Sequence, residues 1–355
     1  MNYRIKSPLT LITFLISVTA TIAQQLGGIS PFSFVDLPSG ARTAGTGGLL
    51  ITVKDSDGSL AHNNPSLLNK SMHSNLSMQH TFYVADISHS LANYIHHFKK
   101  QDFTTSAAVQ YMNYGSAPAT DPAGNINGTF SANSFILQVG AAKQITPKTS
   151  VGANLKYLGS RLESYNSAAI ATDLAATYTD TASRIVVGVV LKNIGYQFAT
   201  FTGTNESVPF DLQIGFSHRL KHLPFRFHIT GHHLTQWNVK YDDPNDPNNQ
   251  VNLLGEQPAT DPIGNFADNM FQHLIFGGEL LFGKKENFRL MFGYNHRRRQ
   301  ELKVSTAPSL TGFAFGFGLK ISKFRLDYGY GAYHLNGGIH SLGISTNITA
   351  FTKKG

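Results

Sequence analysis

Gly312-Phe313-Ala314-Phe315-Gly316-Phe317-Gly318-Leu319-Lys320-Ile321 alternates with a period of two. Phe313, Phe315, Phe317 and Leu319 fall on one face of a strand, and Ala314, Gly316, Gly318 and Lys320 on the other. The next stretch answers it, with Phe324, Leu326, Tyr328 and Tyr330 set against Arg325, Asp327 and Gly329. With Ser322-Lys323 as a two-residue turn, Ile321 faces Phe324, Leu319 faces Leu326, Phe317 faces Tyr328 and Phe315 faces Tyr330, so every pair keeps its face. The other face brings Lys320 diagonally beside Asp327, a charge pair expected in a polar lumen. Two architectures use such a hairpin: a sandwich that buries the aromatic face, and a membrane barrel that turns it to lipid.

The connections decide between them. Strands are expected near Asn75 to Val84, Ser90 to Phe98, Phe103 to Met112, Ser134 to Ile145, Ser150 to Leu158, Ile170 to Tyr178, Arg184 to Leu191 and Phe210 to Ser217. Six more follow, at Pro224 to His232, Phe271 to Phe282, Asn287 to His296, Gly312 to Ile321, Lys323 to Tyr330 and Gly338 to Phe351. Connections after even-numbered strands are short, such as Lys99 to Asp102 and Gly283 to Glu286. Those after odd-numbered strands are mostly long: Asn113 to Asn133, Gly159 to Ala169, Lys192 to Pro209, His233 to Met270 and Arg297 to Thr311. A sandwich has no reason to sort its loops by end. The reading is all-β, a transmembrane antiparallel β-barrel of about 14 strands in the outer membrane, with both termini on the short-turn, periplasmic side.

Composition agrees. Charged residues make up 14% of the chain, while Gly numbers 33 and Phe and Tyr 25 and 14; soluble domains carry about 25% charged residues. Arg4 and Lys6, the apolar run from Leu9 to Ile22, and the small residues Thr21 and Ala23 read as a signal peptide spanning 1–23. Residues 74–355 form the barrel. Between them, 24–73 is rich in Gly, Ser and Asn without a sustained period, and the bore of such a barrel is wider than its own side chains can fill. This segment is therefore placed as a plug in the lumen.

The net charge of +8 is scattered. Its densest run, His296 to Arg299, follows an apolar strand and has no recognition-helix pattern or aromatic stripe around it, so no nucleic-acid partner is expected. The short-turn side carries Lys99, Lys100, Lys143, Lys148, Lys221, Lys284, Lys285 and Lys323, opposite the acidic run from Tyr241 to Pro247. Cysteine is absent, which removes thiolate metal sites and thiol nucleophiles. Of the 15 histidines, His96-His97 and His232-His233 are adjacent on expected strands, so their rings should point to opposite faces and share no ion. Ile339-His340-Ser341-Leu342-Gly343 resembles a serine-hydrolase elbow without its first glycine, yet no helix follows. No cofactor, no metal and no catalytic residue are expected.

The plug segment carries a recognisable order of motifs: Ser39-Gly40-Ala41-Arg42, Gly47-Gly48, Asp55, and Asn64-Pro65-Ser66-Leu67-Leu68. This resembles the N-terminal hatch of the PorV/PorQ family, barrels related in fold to the long-chain fatty-acid transporter FadL. Asp173 to Tyr178, Leu191-Lys192-Asn193-Ile194-Gly195 and Pro209 to Gly215 resemble that family's middle strands. Leu223-Pro224-Phe225-Arg226 with His232-His233-Leu234 and Trp237 is closer to its PorQ branch than to PorV.

The resemblance implies a non-enzymatic role in the type IX secretion system of Bacteroidetes, holding a PorZ-like surface protein at the outer membrane beside PorU and PorV, with membrane lipid around it. It also implies a plug motif of Arg42, Gly47, Gly48, Asp55, Asn64 and Pro65. The longest loop is the expected docking surface, with Trp237 and Tyr241 as aromatic anchors and Asp242 and Asp243 as a charged rim. The alternative is a FadL-like passive transporter of hydrophobic ligands. Whether the hatch is fixed or movable separates the two.

Overall fold

A computed structural model describes residues 30–239, 262–283, 286–303, 309–334 and 337–352. The expected signal segment, together with Tyr241, Asp242, Asp243, Lys284 and Lys285, lies outside the described residues. Fourteen strands form one closed antiparallel barrel in which each pairs with its chain neighbours and the first meets the last. They are β1 Asn75–Phe82, β2 Ser88–Phe98, β3 Phe103–Thr120, β4 Ile126–Gln144, β5 Thr149–Leu162, β6 Tyr165–Asp180 and β7 Ile185–Ala199. After them come β8 Asp211–Arg219, β9 Phe225–Gly231, β10 Leu274–Phe282, β11 Phe288–Asn295, β12 Phe313–Ile321, β13 Phe324–His334 and β14 Gly337–Asn347.

The β12–β13 hairpin has the expected register, with Ile321 opposite Phe324, Leu319 opposite Leu326 and Phe317 opposite Tyr328. Its faces settle the choice of architecture. Phe315 and Phe317 are 46% and 43% exposed while Ala314 between the same strands is fully buried. The sorting recurs around the wall: Met78, Val109, Leu137, Leu155, Ile170, Ile214 and Leu342 face outward, and Ser77, Gln110, Gln138, Asn154, Gln213 and Ser341 are buried inside. Apolar outside and polar inside inverts a soluble core, and an exterior of this kind is stable only against hydrocarbon.

Two connections expected to be loops are mostly strand. β3 runs to Thr120 and β4 begins at Ile126, while β5 ends at Leu162 and β6 starts at Tyr165. These stretches are polar on both faces and so lack an apolar period. The backbone ladder nevertheless continues through Ser116 opposite Ser131 and Pro118 opposite Thr129. The wall is thus taller on the long-loop side of β3–β6. At the other end of the chain, β14 stops at Asn347, whose side chain accepts from Thr349 N at 3.0 Å, and residues 349–352 coil into a helical turn instead of extending the strand.

Lys320 and Asp327 do not pair. Lys320 is exposed opposite Arg325, and Asp327 accepts from Arg289 Nη2 at 2.7 Å. Arg289 and Asp327 flank Gly318 on either side in the register. With no side chain there, the guanidinium crosses the middle strand; a Cβ on Gly318 would stand 2.2 Å from the Asp327 carboxylate.

Residues 30–74 lie inside the barrel and touch opposite walls. A short helix, α1 (Ala41–Gly45), packs against β11–β14 and β1, and the turn Pro65–Leu67 against β4–β6. Leu50, Val53, Leu60 and Leu67 make a small core within the segment. Ala61, Leu68 and Met72 meet Ile95 and Ala142 of the wall, and Leu49 and Ile51 meet Ala175, Val190 and Ile275. The contact is close where the wall is bare: a Cβ on Gly329 would lie 2.0 Å from the carbonyl oxygen of Ala41. Replacing Gly329 by Val should therefore leave the barrel folded but push α1 off β13, opening residues 41–72 to protease. Limited proteolysis with fragment mapping checks this, and an unchanged pattern would mean α1 is not seated there.

Candidate functional site

Arg42 is the centre of the lumen. It is the second residue of α1, and the helix aims its guanidinium at the wall. Nε and Nη2 grip the Glu279 carboxylate of β10 at 2.7 and 3.0 Å. Nη1 donates to Asp57 at 2.9 Å, and Nη2 also reaches Asp55 at 2.9 Å. Glu279 takes a second donor from Arg226 of β9 at 2.9 Å. Asp57 takes one from Arg289 of β11 at 3.0 Å, and Arg289 continues to Asp327 of β13. Arg42, Asp57, Glu279 and Arg289 are almost wholly inaccessible to solvent. Burial alone would raise the Asp57 pKa, but the Arg289 and Arg42 guanidiniums outweigh it and hold the carboxyl well below its usual range. Three cations and four anions from the plug and four strands thus pair with one another, as buried charges must, with one negative charge in excess.

Across the lumen stands a smaller cluster. Lys156 Nζ of β5 donates to Asp173 of β6 at 2.7 Å and to Asn193 of β7 at 2.9 Å. The adjacent plug residue His62 is fully buried, and that burial, with Lys156 and Lys192 nearby, lowers its pKa to about 3, so it stays neutral.

Of the plug motif, Arg42 and Asp55 meet in the network. Gly47 and Gly48 turn the chain with φ of 100° and 111°, a region open to glycine, and face Ile275 and Arg298. Asn64 accepts from Ser66 N at 3.0 Å and donates to Ile51 O at 2.7 Å, fixing the turn that Pro65 begins. Asp57, Arg226, Glu279 and Arg289, which complete the network, escaped the sequence reading. Arg226, Glu279 and Arg289 are charged residues on the inward face of otherwise apolar alternations, a signal the sequence carries, whereas Asp57 lies in the plug, which has no period to mark it.

The long-loop end differs. There the lumen wall is apolar: Met112, Ile136, Leu158, Ala169 and Ala171 of β3–β6 form one buried cluster with Val208 and with Phe32, Phe34 and Val35 of the plug. The covering residues form a 3-10 turn, Ser33–Asp36. It is tied by Lys192 Nζ to Val35 O at 3.1 Å and by Ser30 Oγ to Ser207 O at 3.0 Å. Beside it opens a polar cavity of about 430 Å³, lined by Asp36, Lys192, Asp211, His232, His233 and Arg297 among others.

Trp237 borders this end, 55% exposed. It stacks on His273 at 5.7 Å and leans on Phe266 at 5.2 Å; Phe266 belongs to α2 (Pro262–Gln272). Its carbonyl accepts from Asn269 Nδ2 and lies 3.1 Å from His273 Nε2. The run His296 to Arg299 begins α3 (His296–Leu302). Its charges turn inward to the protein, His296 onto Asp268 at 2.8 Å and Arg298 over the Tyr333 ring at 4.0 Å.

The two histidine pairs behave differently. His96 and His97 lie within β2 and diverge, one toward His73 and the other toward Thr104. His232 and His233 do not diverge. β9 ends at Gly231 and His233 has a φ of 54°, so strand alternation no longer applies and the rings face each other, with Nδ1 atoms 2.6 Å apart. His340 and Ser341 sit on opposite faces of β14, Ser341 bonded to Thr81 at 2.7 Å and His340 to Tyr328 at 2.9 Å.

No protein-family model matches the sequence, and no curated protein matches it significantly. Solved structures do match in shape. A deltaS2 mutant of the monoaromatic hydrocarbon channel TodX aligns over 87% of this chain and 98% of its own, with 12% identity and a TM-score of 0.50. The monoaromatic hydrocarbon channel CymD aligns over 89% and 98% at 14% identity and a TM-score of 0.48. A FadL homologue from Pseudomonas aeruginosa aligns over 87% and 98% at 9% identity and 0.47. At these identities the likeness concerns the fold. The chain is a closed antiparallel barrel of fourteen strands, similar in shape to TodX, and a barrel with this apolar exterior resides in the outer membrane.

Proposed function

We propose that this chain is a non-enzymatic outer-membrane barrel that admits small hydrophobic molecules passively at its long-loop end. The observation that carries this reading is the apolar patch of β3–β6, larger than the other apolar clusters of the lumen and covered by the chain's own Phe32, Phe34 and Val35. Apolar lining does nothing for a water pore. It gains free energy from an apolar guest, about 25 cal/mol for each Å² removed from water, and a guest that took the place of the Ser33–Asp36 turn would lose little. TodX and CymD, which share the fold, are hydrocarbon channels by name.

The test is uptake of a labelled monoaromatic hydrocarbon into vesicles carrying the barrel. Saturable uptake above that of barrel-free vesicles is expected, together with loss of the saturable component in Met112→Glu. Uptake equal to that of barrel-free vesicles would sink the channel reading.

A second reading has its own support. In this reading the barrel is a component of type IX secretion that holds a PorZ-like surface partner beside PorU and PorV. The order of plug motifs suggests it, and the ion network around Arg42, which ties the hatch to four strands, favours a barrel that acts by position. Affinity purification from outer membranes in mild detergent discriminates: surface-attachment proteins should co-purify under this reading, and the barrel should come alone or with an apolar ligand under the first.

A further inference from the structure

We propose that Asp211, His232 and His233 form a binding site for one divalent transition-metal ion at the long-loop end of the barrel. The inference stands on side-chain placement and is independent of both functional readings above. One ligand atom from each residue lies within 4.8 Å of the other two. The rings of His232 and His233 are 4.8 Å apart and nearly perpendicular, with their Nδ1 atoms in direct opposition. Two facing ring nitrogens can share only one proton between them, whereas both can donate lone pairs to a metal. His232 Nε2 is buried with no hydrogen-bond partner among the described residues.

The donor set defines the ion. Two imidazoles and a carboxylate suit zinc and its first-row neighbours in preference to magnesium or calcium, which take oxygen ligands. Ligand bonds to zinc are about 2.0 to 2.2 Å, so neighbouring donors of a tetrahedral ion sit a little over 3 Å apart. Reaching that spacing requires only small adjustments of two side chains.

The surroundings fix the ligands. Asp211, the first residue of β8, receives His233 N at 2.6 Å on one oxygen and Gln213 Nε2 at 2.7 Å on the other. His232 is held through its backbone, its carbonyl accepting from His273 Nδ1 at 2.9 Å and its N–H donating to His273 O at 2.9 Å. These bonds fix the Asp211 carboxylate and the backbone of His232. The remaining coordination positions open on the cavity of about 430 Å³, where Lys192, Arg297 and Arg298 are balanced by Asp36, Asp211 and Glu301 and water can serve as the outer ligand. An ion here would clamp the start of β8 to the end of β9 and to the first residues of the loop that carries Trp237.

The experiment uses the full chain, purified through a tag free of histidine, stripped with EDTA in detergent and titrated with Zn²⁺ by calorimetry. One equivalent should bind, and the pair His232→Gln/His233→Gln and the single Asp211→Asn should each weaken it by about 10- to 100-fold. His222→Gln, in an exposed turn, should leave binding unchanged. X-ray absorption on zinc-loaded wild-type protein, which needs no variant to fold, should show a nitrogen and oxygen shell with the outer scattering of two imidazoles. Absence of stoichiometric uptake, uptake unaltered by the ligand variants, or a shell without imidazole would overturn the site.

Discussion

Arg42→Ala should unseat the hatch while leaving the wall standing. The substitution removes the one cation that bridges Asp55, Asp57 and Glu279, and Glu279 keeps only Arg226 while Asp57 keeps only Arg289. Deleting one partner of a buried ion network costs about 3 to 5 kcal/mol, because the other charges remain buried and uncompensated. The wall is not the place where that strain relaxes, since its ladders are continuous and do not involve the plug. The plug is the part that can shift, its remaining ties to the wall being small apolar clusters and single hydrogen bonds such as Ala41 N to Gln79, Ser150 Oγ to Ser66 O and Ser217 Oγ to Thr52 O. Planar-bilayer recordings should show steady conductance steps in Arg42→Ala that are rare in wild type, and residues 41–72 should become sensitive to added protease. Silent bilayers and protected plugs in the variant would mean that the network does not hold the hatch. Asp57→Asn is a milder comparison, since it keeps the shape and removes one charge. Because the Asp57 carboxyl titrates far below its ordinary range, the stability it lends is present at neutral pH and lost only as pH falls toward strongly acid values. Mild acidification alone should leave the hatch seated.

Phe317→Arg gives the largest effect expected on the wall. Phe317 lies midway along β12, outward and exposed, and an arginine near the bilayer midplane of a barrel costs about 2 to 4 kcal/mol. Ile321 is on the same face at the turn, where the same substitution should cost at most about 1 kcal/mol because the side chain reaches the headgroups. Leu319→Arg should fall between them. Urea titration of the refolded barrel in lipid, with heat-modifiable migration as a check on assembly, measures the gradient. Equal costs at the three positions would contradict the assignment of this face to lipid.

Much of the fold was legible because strand alternation is a local property. The β12–β13 register followed from seven residues either side of a two-residue turn, and all fourteen strands were located. The tall ends of β3–β6 were not legible, since a strand wet on both faces carries no apolar period. The ion network was hidden for a different reason. Arg42 and Glu279 are separated by 237 positions and become neighbours only when the plug is enclosed by the wall, so nothing local marks Glu279 as the acid that Arg42 meets. Lys320 and Asp327 show how near a miss can be: the register was correct, and a glycine between them and Arg289 redirected the pairing. His232-His233 failed where a strand was assumed to continue one residue too far.

The order in which these partners leave the ribosome sets a condition on assembly. The plug is made first, yet the residues that neutralise it, Arg226, Glu279, Arg289 and Asp327, belong to β9, β10, β11 and β13, and β1 finds its second neighbour only in β14. A chain cut short before β10 therefore has an open seam, and it leaves Arg42 without Glu279 and Asp57 without Arg289. Closure of the wall and pairing of the hatch's buried charges thus both wait for the last strands of the chain.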